Sequence, residues 1–257
     1  MRYALIVSAL ALFIAAGIKP AQKKLTGRQI AEKVYNRDDG ADSIARMEMI
    51  LVDKKGRETK RQLIMKLRDK GALNHSFLEF TEPADIAGTK FLTLEVENGD
   101  ATQYLFLPAL GRARRIVGGQ KKQSFVNTDF SYEDMSRRKP DRDKQTLIKE
   151  EKWNGFNCYV IKVMPVKPDD SQYSKSEVWV DKQSFVVVKV DFYNKKGKKS
   201  KQLTVGKLER QAGIWTAMTA TMKNFKRKTS TILLVKGIKY NTGLEEKIFA
   251  LRNLEEK

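Results

Sequence analysis

Few side chains in this sequence carry groups that catalyse reactions or bind metals. The chain has one histidine, His75, and one cysteine, Cys158. A nucleophilic mechanism needs a base beside the nucleophile and a third group that orients it, and a zinc site usually takes several His or Cys ligands. Cys158 shares an apolar strand face with Phe156 and Val160, which predicts a buried, unreactive thiol. We therefore expect no catalytic residues, no metal site and no cofactor.

Two charged clusters lie close together in the middle of the chain. The basic cluster is Arg112, Arg114 and Arg115, and the acidic cluster is Asp129, Glu133 and Asp134. Arginines can bind phospholipid headgroups or an acidic patch on a membrane partner. The alternatives are that the basic cluster lies in a solvated loop, or that the acidic cluster pairs with it and fixes that loop.

The whole chain is strongly basic. Its 257 residues carry a net charge of +19, and 41% of them are hydrophobic, which is enough for a substantial core. Such a charge favours anionic partners, whether nucleic acid, lipid headgroups or acidic protein surfaces. The sequence shows no basic recognition helix and no aromatic and basic motif of the kind that binds nucleic acid. We expect no nucleic-acid partner.

The N-terminus predicts export. Arg2 precedes an apolar run from Ala4 to Ala16, and small residues follow it. A membrane-spanning helix needs about 20 apolar residues, so this shorter run is more typical of a cleaved signal peptide. We assign residues 1–21 to the signal peptide, with a retained membrane anchor as the alternative. Residues 22–257 are then expected to form one domain.

Hydrophobic periodicity predicts a mainly β chain with a few helices. A helix is expected over Leu25 to Asp38, with Thr26 as its N-cap and Gly40 beyond its end. Roughly eleven strands follow, separated by turns, and a short helix or tail is expected over Leu244 to Leu254. No crossover helices separate the strands, which indicates a large antiparallel sheet. Several strands are apolar on both faces, so both faces must be covered.

Methionines and aromatic residues on these strands could line an apolar cavity, because both adapt to an acyl chain of variable shape. The alternative is that they form an ordinary core. The candidate cavity residues are Met47, Met49, Met65, Phe77, Phe80, Phe91, Tyr104, Phe106, Trp179 and Met218.

Three segments of the sequence resemble those of a known protein family. They run from Glu82 to Thr89, from Leu105 to Arg112 and from Phe125 to Asp134. Together they resemble the bacterial outer-membrane lipoprotein-sorting proteins, relatives of the periplasmic lipoprotein carriers LolA and LolB. The chain departs from that pattern at Val126-Asn127, where a small residue and a glycine are expected.

The resemblance implies an incomplete antiparallel β-barrel that curls around an apolar cavity and is covered by helices. It also implies a monomeric periplasmic carrier of lipid or lipoprotein acyl chains, which works beside an inner-membrane transporter of the resistance-nodulation-division type. Pro83 to Gly88 is the candidate lid. One alternative is an adaptor that docks on the transporter without carrying lipid. Another is a secreted hydrolase, for which no nucleophile and base can be located.

Overall fold

The computed structural model describes residues 24–256, so the predicted signal peptide lies outside the described residues. Within these residues, helix α1 (Gly27–Tyr35) precedes the sheet and helix α2 (Leu251–Glu255) follows it. The strands are β1 (Asp42–Val52), β2 (Glu58–Lys70), β3 (Leu73–Glu82), β4 (Lys90–Leu94), β5 (Thr102–Leu107), β6 (Arg112–Ile116), β7 (Asp143–Trp153), β8 (Phe156–Pro165), β9 (Tyr173–Asp181), β10 (Val187–Asn194), β11 (Lys199–Gln211), β12 (Ile214–Asn224) and β13 (Thr229–Tyr240). Within residues 24–256 no helix has the length and apolarity to span a membrane.

All the strands belong to one 13-stranded sheet in the order β6-β5-β4-β3-β2-β1-β13-β12-β11-β10-β9-β8-β7. Every pairing is antiparallel, and β6 and β7 are the two edges of the sheet, which does not close into a barrel. The prediction of a mainly β, incomplete antiparallel barrel is therefore confirmed. The strand count exceeds the predicted eleven, in part because the basic cluster lies on β6 and not in a loop. Charged side chains are common on edge strands, where they discourage pairing with other chains.

Residues 117–142, which we call the crossover segment, connect the two edges of the sheet. Because β6 and β7 are at opposite ends of the strand order, this segment must cross one face of the sheet. Its Phe125, Phe130 and Tyr132 are buried in a core cluster with Met49 of β1 and Met222 of β12. We call this covered face the inner face.

The crossover segment explains where the chain departs from the family pattern. Val126 has φ 43° and Asn127 has φ 63°, so both residues adopt the left-handed conformation that glycine tolerates best. The Arg61 guanidinium donates a 2.8 Å hydrogen bond to the Val126 carbonyl and holds this turn in place. Val126 and Asn127 thus adopt the left-handed conformation that a glycine would be expected to supply at this position.

The C-terminal segment covers part of the outer face of the sheet. Phe249 and Leu254 pack there against Phe77, Leu92 and Phe106 of β3, β4 and β5. The predicted terminal helix is therefore present, as a 3-10 turn at Glu246–Phe249 followed by α2.

Helix α1 begins as predicted. The Thr26 hydroxyl accepts a hydrogen bond from the Gln29 backbone N–H at 3.2 Å, and the Gln29 side chain accepts one from the Thr26 N–H at 2.9 Å. This capping box satisfies two backbone donors at the start of the helix. Ile30 is fully buried against Ile161 and Val180, which attaches α1 to the inner face.

Asp42 attaches the C-terminal segment to β1. Its carboxylate accepts hydrogen bonds from the Thr242 N–H at 2.7 Å, the Gly243 N–H at 2.8 Å and the Leu244 N–H at 3.2 Å. Burial acts to raise the pKa of Asp42, but these bonds and one from the Thr242 hydroxyl outweigh it and lower the pKa below its ordinary value of 3.8.

We expect Asp42→Asn to lower the free energy of unfolding at pH 7 by about 2 kcal/mol, because hydrogen bonds to a charged group are lost. A carboxyl group whose pKa is lowered by folding stabilises the protein above its unfolded pKa, and this stabilisation is lost as the pH falls through its folded pKa. The difference between the two proteins should therefore be constant above about pH 5 and shrink below about pH 4. Urea denaturation across this range measures it, and a difference that grows on acidification would contradict this role of Asp42.

Candidate functional site

A cavity of about 590 Å³ lies on the inner face, between the sheet, helix α1 and the end of the crossover segment. Thr93 of β4 and Ile161 of β8 both line it, although these strands lie near opposite ends of the strand order. Neighbouring strands are about 4.8 Å apart, so a flat sheet would hold these strands too far apart to share one cavity. The sheet is therefore strongly curled around this space.

Most of the cavity wall is apolar. Its side chains come from α1, from β2 and from the strands of the opposite wall. They are Ala31, Val34, Met65, Leu67, Ile161, Val163, Val178, Val180, Val187, Val190, Phe192 and Leu203. Small-molecule sites typically have volumes of about 300–1,000 Å³ and mostly apolar walls with a few polar groups. The cavity fits that description.

A bulge in β10 brings more apolar side chains into this wall. The register with β9 shifts between Val187 and Lys189. As a result Val187 and Val190 both line the cavity, while Val188 is buried in an outer-face cluster with Trp179. Simple alternation along the strand would place Val187 and Val190 on opposite faces.

One end of the cavity is polar and centres on Tyr35, Glu95 and Arg137. The Glu95 carboxyl accepts hydrogen bonds at Oε2 from the Asn74 N–H at 2.8 Å and from the Tyr35 hydroxyl at 3.3 Å. The Arg137 guanidinium lies 4.3 Å from the Tyr35 ring centre and donates to the Tyr35 carbonyl at 2.7 Å. Burial, with the nearby Glu95 charge, raises the pKa of Tyr35.

This polar end adjoins a second, charged cleft of about 380 Å³, which shares Glu95, Ser136, Arg137 and Arg138 with the cavity. Ion pairs hold the cleft together. Asp100, in the β4–β5 turn, pairs at 3.0 Å with Lys121 and at 3.0 Å with Arg142 of the crossover segment. An apolar cavity that borders a charged cleft suits a ligand with an apolar chain and a polar head.

The candidate cavity residues occupy different parts of the fold. Met65 lines the cavity. Met47, Met49, Phe80 and Phe91 belong to the inner-face core that the crossover segment fills. Phe77, Tyr104 and Phe106 lie on the outer face beneath the C-terminal segment, Trp179 lies in another outer-face cluster, and Met218 is half-buried on β12. Contact of any of them with a ligand stays a prediction.

The basic cluster is exposed, and the acidic cluster does not pair with it. Arg114 lies opposite Leu105 of β5, an inner-face residue, and Arg115 lies opposite Tyr104, an outer-face residue, so the arginines point to different faces. The alternative in which the two clusters pair is wrong, because the acidic side chains bind residues elsewhere in the fold. Asp129 accepts from Thr231, Glu133 from the Gln172 N–H, and Asp134 from Tyr173 and Lys201.

The candidate lid is a tight turn between β3 and β4. The Pro83 carbonyl accepts hydrogen bonds from the Ile86 and Ala87 N–H groups, and the Gly88 N–H donates to the Phe80 carbonyl at 2.8 Å. Ile86 is buried in the inner-face core. The turn does not border the cavity. The assignment as a lid is therefore wrong for this structure: helix α1 and the segment from Met135 to Asp143 cover the cavity instead.

Tyr35, Glu95 and Arg137 are site residues that were not predicted from the sequence. Glu95 follows Phe91 and Thr93 at intervals of two in a predicted strand, so it could have been assigned to the same face as Phe91. Arg137 begins a charged stretch, Arg137 to Asp143, in which no helix or strand periodicity is present. Nothing in the sequence places Tyr35 beside them, because that contact depends on how α1 packs on the sheet.

The cysteine and histidine lie outside the cavity wall. Cys158 is fully buried in an outer-face cluster, and burial raises the pKa of its thiol to about 11. Burial, with the charge of Lys70, lowers the pKa of His75, whose ring lies 6.3 Å from that of Phe249. Within residues 24–256 there is no cluster of three or more His, Cys, Asp or Glu residues placed to hold a metal ion.

Comparison with known proteins shows what this chain resembles. A protein-family model described as "Uncharacterized protein" matches residues 72–256. A solved candidate outer-membrane lipoprotein-sorting protein domain from Vibrio parahaemolyticus is 34% identical, with a TM-score of 0.84 over 90% of this chain and 98% of that one. No curated protein matches the chain.

Two further solved structures share the fold. A DUF1329 family protein from Desulfovibrio piger is 28% identical, with a TM-score of 0.84 over 89% of this chain and 97% of that one. A LolA superfamily protein from Nitrosomonas europaea is 18% identical, with a TM-score of 0.68 over 88% of this chain and 98% of that one. At 18% identity, the similarity to the Nitrosomonas protein shows only that the two proteins share a fold.

Proposed function

Because this chain belongs to the family of outer-membrane lipoprotein-sorting proteins, we propose that it is a periplasmic carrier of lipid or lipoprotein acyl chains. In this proposal residues 22–257 form the carrier domain, which binds an acyl chain as a monomer and passes it toward the outer membrane. No catalytic step is involved.

The observation that supports this proposal best is the cavity of about 590 Å³ bordered by the curled sheet and α1. Moving a methylene group out of water is worth about 0.8 kcal/mol, so a chain that fills an apolar cavity is held by burial alone. The polar end lets the head of the ligand stay hydrated or hydrogen-bonded while its chain is buried. The Vibrio relative is described as an outer-membrane lipoprotein-sorting protein, and burial of an acyl chain agrees with that description.

An inner-membrane transporter of the resistance-nodulation-division type remains our proposed partner. The exposed arginines of β6 are the surface that we assign to it or to lipid headgroups. The alternative, an adaptor that carries no lipid, predicts a cavity too small or too polar for an acyl chain. The mostly apolar wall favours the carrier.

We expect the purified protein to retain lipid that mass spectrometry detects, and Val178→Trp to reduce it at least tenfold, because the larger side chain fills space in the cavity wall. Val166→Trp is the matched control, because Val166 is 61% exposed and lies outside the cavity. Thermal melting confirms that both variants fold. Undiminished lipid retention by folded Val178→Trp would argue against acyl binding in this cavity.

A further inference from the structure

Three buried polar atoms near the polar end of the cavity have no hydrogen-bond partner among the described residues. They are Thr93 Oγ1, Glu95 Oε1 and Gln103 Oε1. The three residues are 4%, 5% and 0% exposed. Thr93 and Gln103 are directly paired in the β4–β5 ladder, and Thr93 and Glu95 both line the cavity. We call this group the acceptor patch.

The Glu95 carboxyl and the Gln103 amide are each held by other hydrogen bonds. The Glu95 carboxyl is fixed through Oε2 by Asn74 and Tyr35. The Gln103 amide donates to the Tyr132 carbonyl at 2.7 Å and to the Ser136 hydroxyl at 2.9 Å. These contacts orient the unpartnered oxygens in advance. Buried polar atoms in folded proteins are nearly always hydrogen-bonded. Three exceptions on neighbouring strand positions, two of them in the cavity wall, therefore call for a missing partner.

The chemistry of the patch restricts that partner. Carboxyl and amide oxygens accept hydrogen bonds, and a threonine hydroxyl accepts or donates one. The missing partner must therefore carry donors. An anionic carboxylate or phosphodiester has no donor on its charged group and is repelled by the Glu95 carboxyl.

The surrounding cations disfavour an ammonium head. Arg137 Nε lies 3.6 Å from Glu95 Oε1, so the charge of Glu95 already has a counter-ion. Arg138 also faces the cavity, but its guanidinium donates to both Asp143 oxygens, at 2.7 and 2.8 Å, and Asp143 is therefore balanced too. An ammonium head would be repelled by the Arg137 guanidinium, and it would find no unpaired carboxyl to bind.

We propose that the acceptor patch binds a neutral hydrogen-bond donor, a hydroxyl or amide N–H group, in the head of the amphiphile whose chain fills the cavity. This inference rests on the proposed function, since the acyl chain brings the head to the patch. It adds a selectivity for head chemistry, which chain burial alone does not supply.

The test compares dodecyl compounds that differ in the head, by isothermal titration calorimetry. Monolauroylglycerol supplies hydroxyl donors, lauramide supplies amide donors, laurate is an anion and dodecylamine is a cation. We expect at least one of the two neutral compounds to bind about tenfold more tightly than laurate and dodecylamine, as a gain of one or two hydrogen bonds implies. Comparing monolauroylglycerol with lauramide shows whether the patch binds a hydroxyl or an amide donor.

The variant Thr93→Val keeps the shape of the side chain and removes its hydroxyl. We expect it to weaken binding of the preferred neutral compound by about tenfold and to leave laurate unchanged. Thr102→Val is the matched control, since Thr102 is a half-buried threonine of β5 that does not line the cavity. It should bind the neutral compound as the unmodified protein does.

The outcomes separate the inference from the function. Equal affinity for all four heads, or the tightest binding by laurate or dodecylamine, overturns the head selectivity while acyl binding stands. Neutral selectivity that persists in Thr93→Val also overturns the assignment to the patch. Binding of none of the four compounds removes the proposed function and this inference with it.

Discussion

Asp134→Ala is expected to lower the free energy of unfolding by about 3–5 kcal/mol, because it leaves a buried lysine without its counter-ion. Asp134 Oδ2 lies 3.0 Å from Lys201 Nζ, and the two side chains are 6% and 12% exposed. Asp134 also accepts from the Ser131 N–H at 2.8 Å and the Tyr173 hydroxyl at 2.9 Å. Burial, with the Asp134 charge, raises the pKa of Tyr173, which keeps this phenol a donor. The carboxyl thus joins the crossover segment to β9 and β11.

A second variant distinguishes the ion pair from general damage. The double variant Asp134→Ala/Lys201→Met also removes the unpaired charge of Lys201. It should therefore regain part of the stability that Asp134→Ala loses. Glu245→Ala is the surface control, because its partner Lys247 is 75% exposed, and exposed pairs contribute less than about 1 kcal/mol. Urea denaturation measures all three. Equal, small losses for Asp134→Ala and Glu245→Ala would show that the buried pair does not hold the crossover segment.

Gly27→Ala should cost about 3 kcal/mol, although alanine is the better helix former. A Cβ atom at Gly27 would lie 2.7 Å from the Leu147 nitrogen and from the carbonyl carbon and nitrogen of Thr146. All three are backbone atoms of β7, so the strand or the start of α1 must move. Since Ala31 and Val34 of that helix line the cavity, we also expect weaker acyl binding.

The control for Gly27 is Gly206→Ala in β11. Its added Cβ would lie 3.6 Å from a Thr219 side-chain atom, which is ordinary contact, so the change in stability should stay within about 1 kcal/mol. Chemical denaturation and binding of a fluorescent fatty acid check both variants. If Gly27→Ala is as stable as Gly206→Ala, then α1 does not pack on β7 as closely as the structure shows.

The fold was largely predictable because its signals are local. The capping residue Thr26 and the alternation of Met47, Met49 and Leu51 lie in short windows of sequence, and the structure has α1 and β1 there. β6 was missed because its arginines resemble a solvated loop, and a strand at the edge of a sheet needs only one partner. The register shift in β10 was not predicted, because the alternation of apolar and polar residues does not reveal a bulge.

The candidate site was much less predictable. Alternation divides residues between two faces, but it does not say which face a distant segment will cover. Phe91 and Phe106 look equally suited to a ligand, yet one packs beneath the crossover segment and the other beneath the C-terminal segment. Glu95 contacts Tyr35, 60 residues away, and that contact depends on tertiary packing.

The pairing of β1 with β13 has a consequence for how the chain folds. Strands β1 to β6 and strands β7 to β13 each add next to their predecessor, so each half can grow from hairpins. The seam between the halves joins Ser43 to Tyr240 and forms only when the last strand is available. A chain stopped before Thr229 would leave β1 with a bare edge, open to pairing with other copies. We therefore expect this exposed edge of β1 to disappear only when β13 has been synthesised and has paired with it.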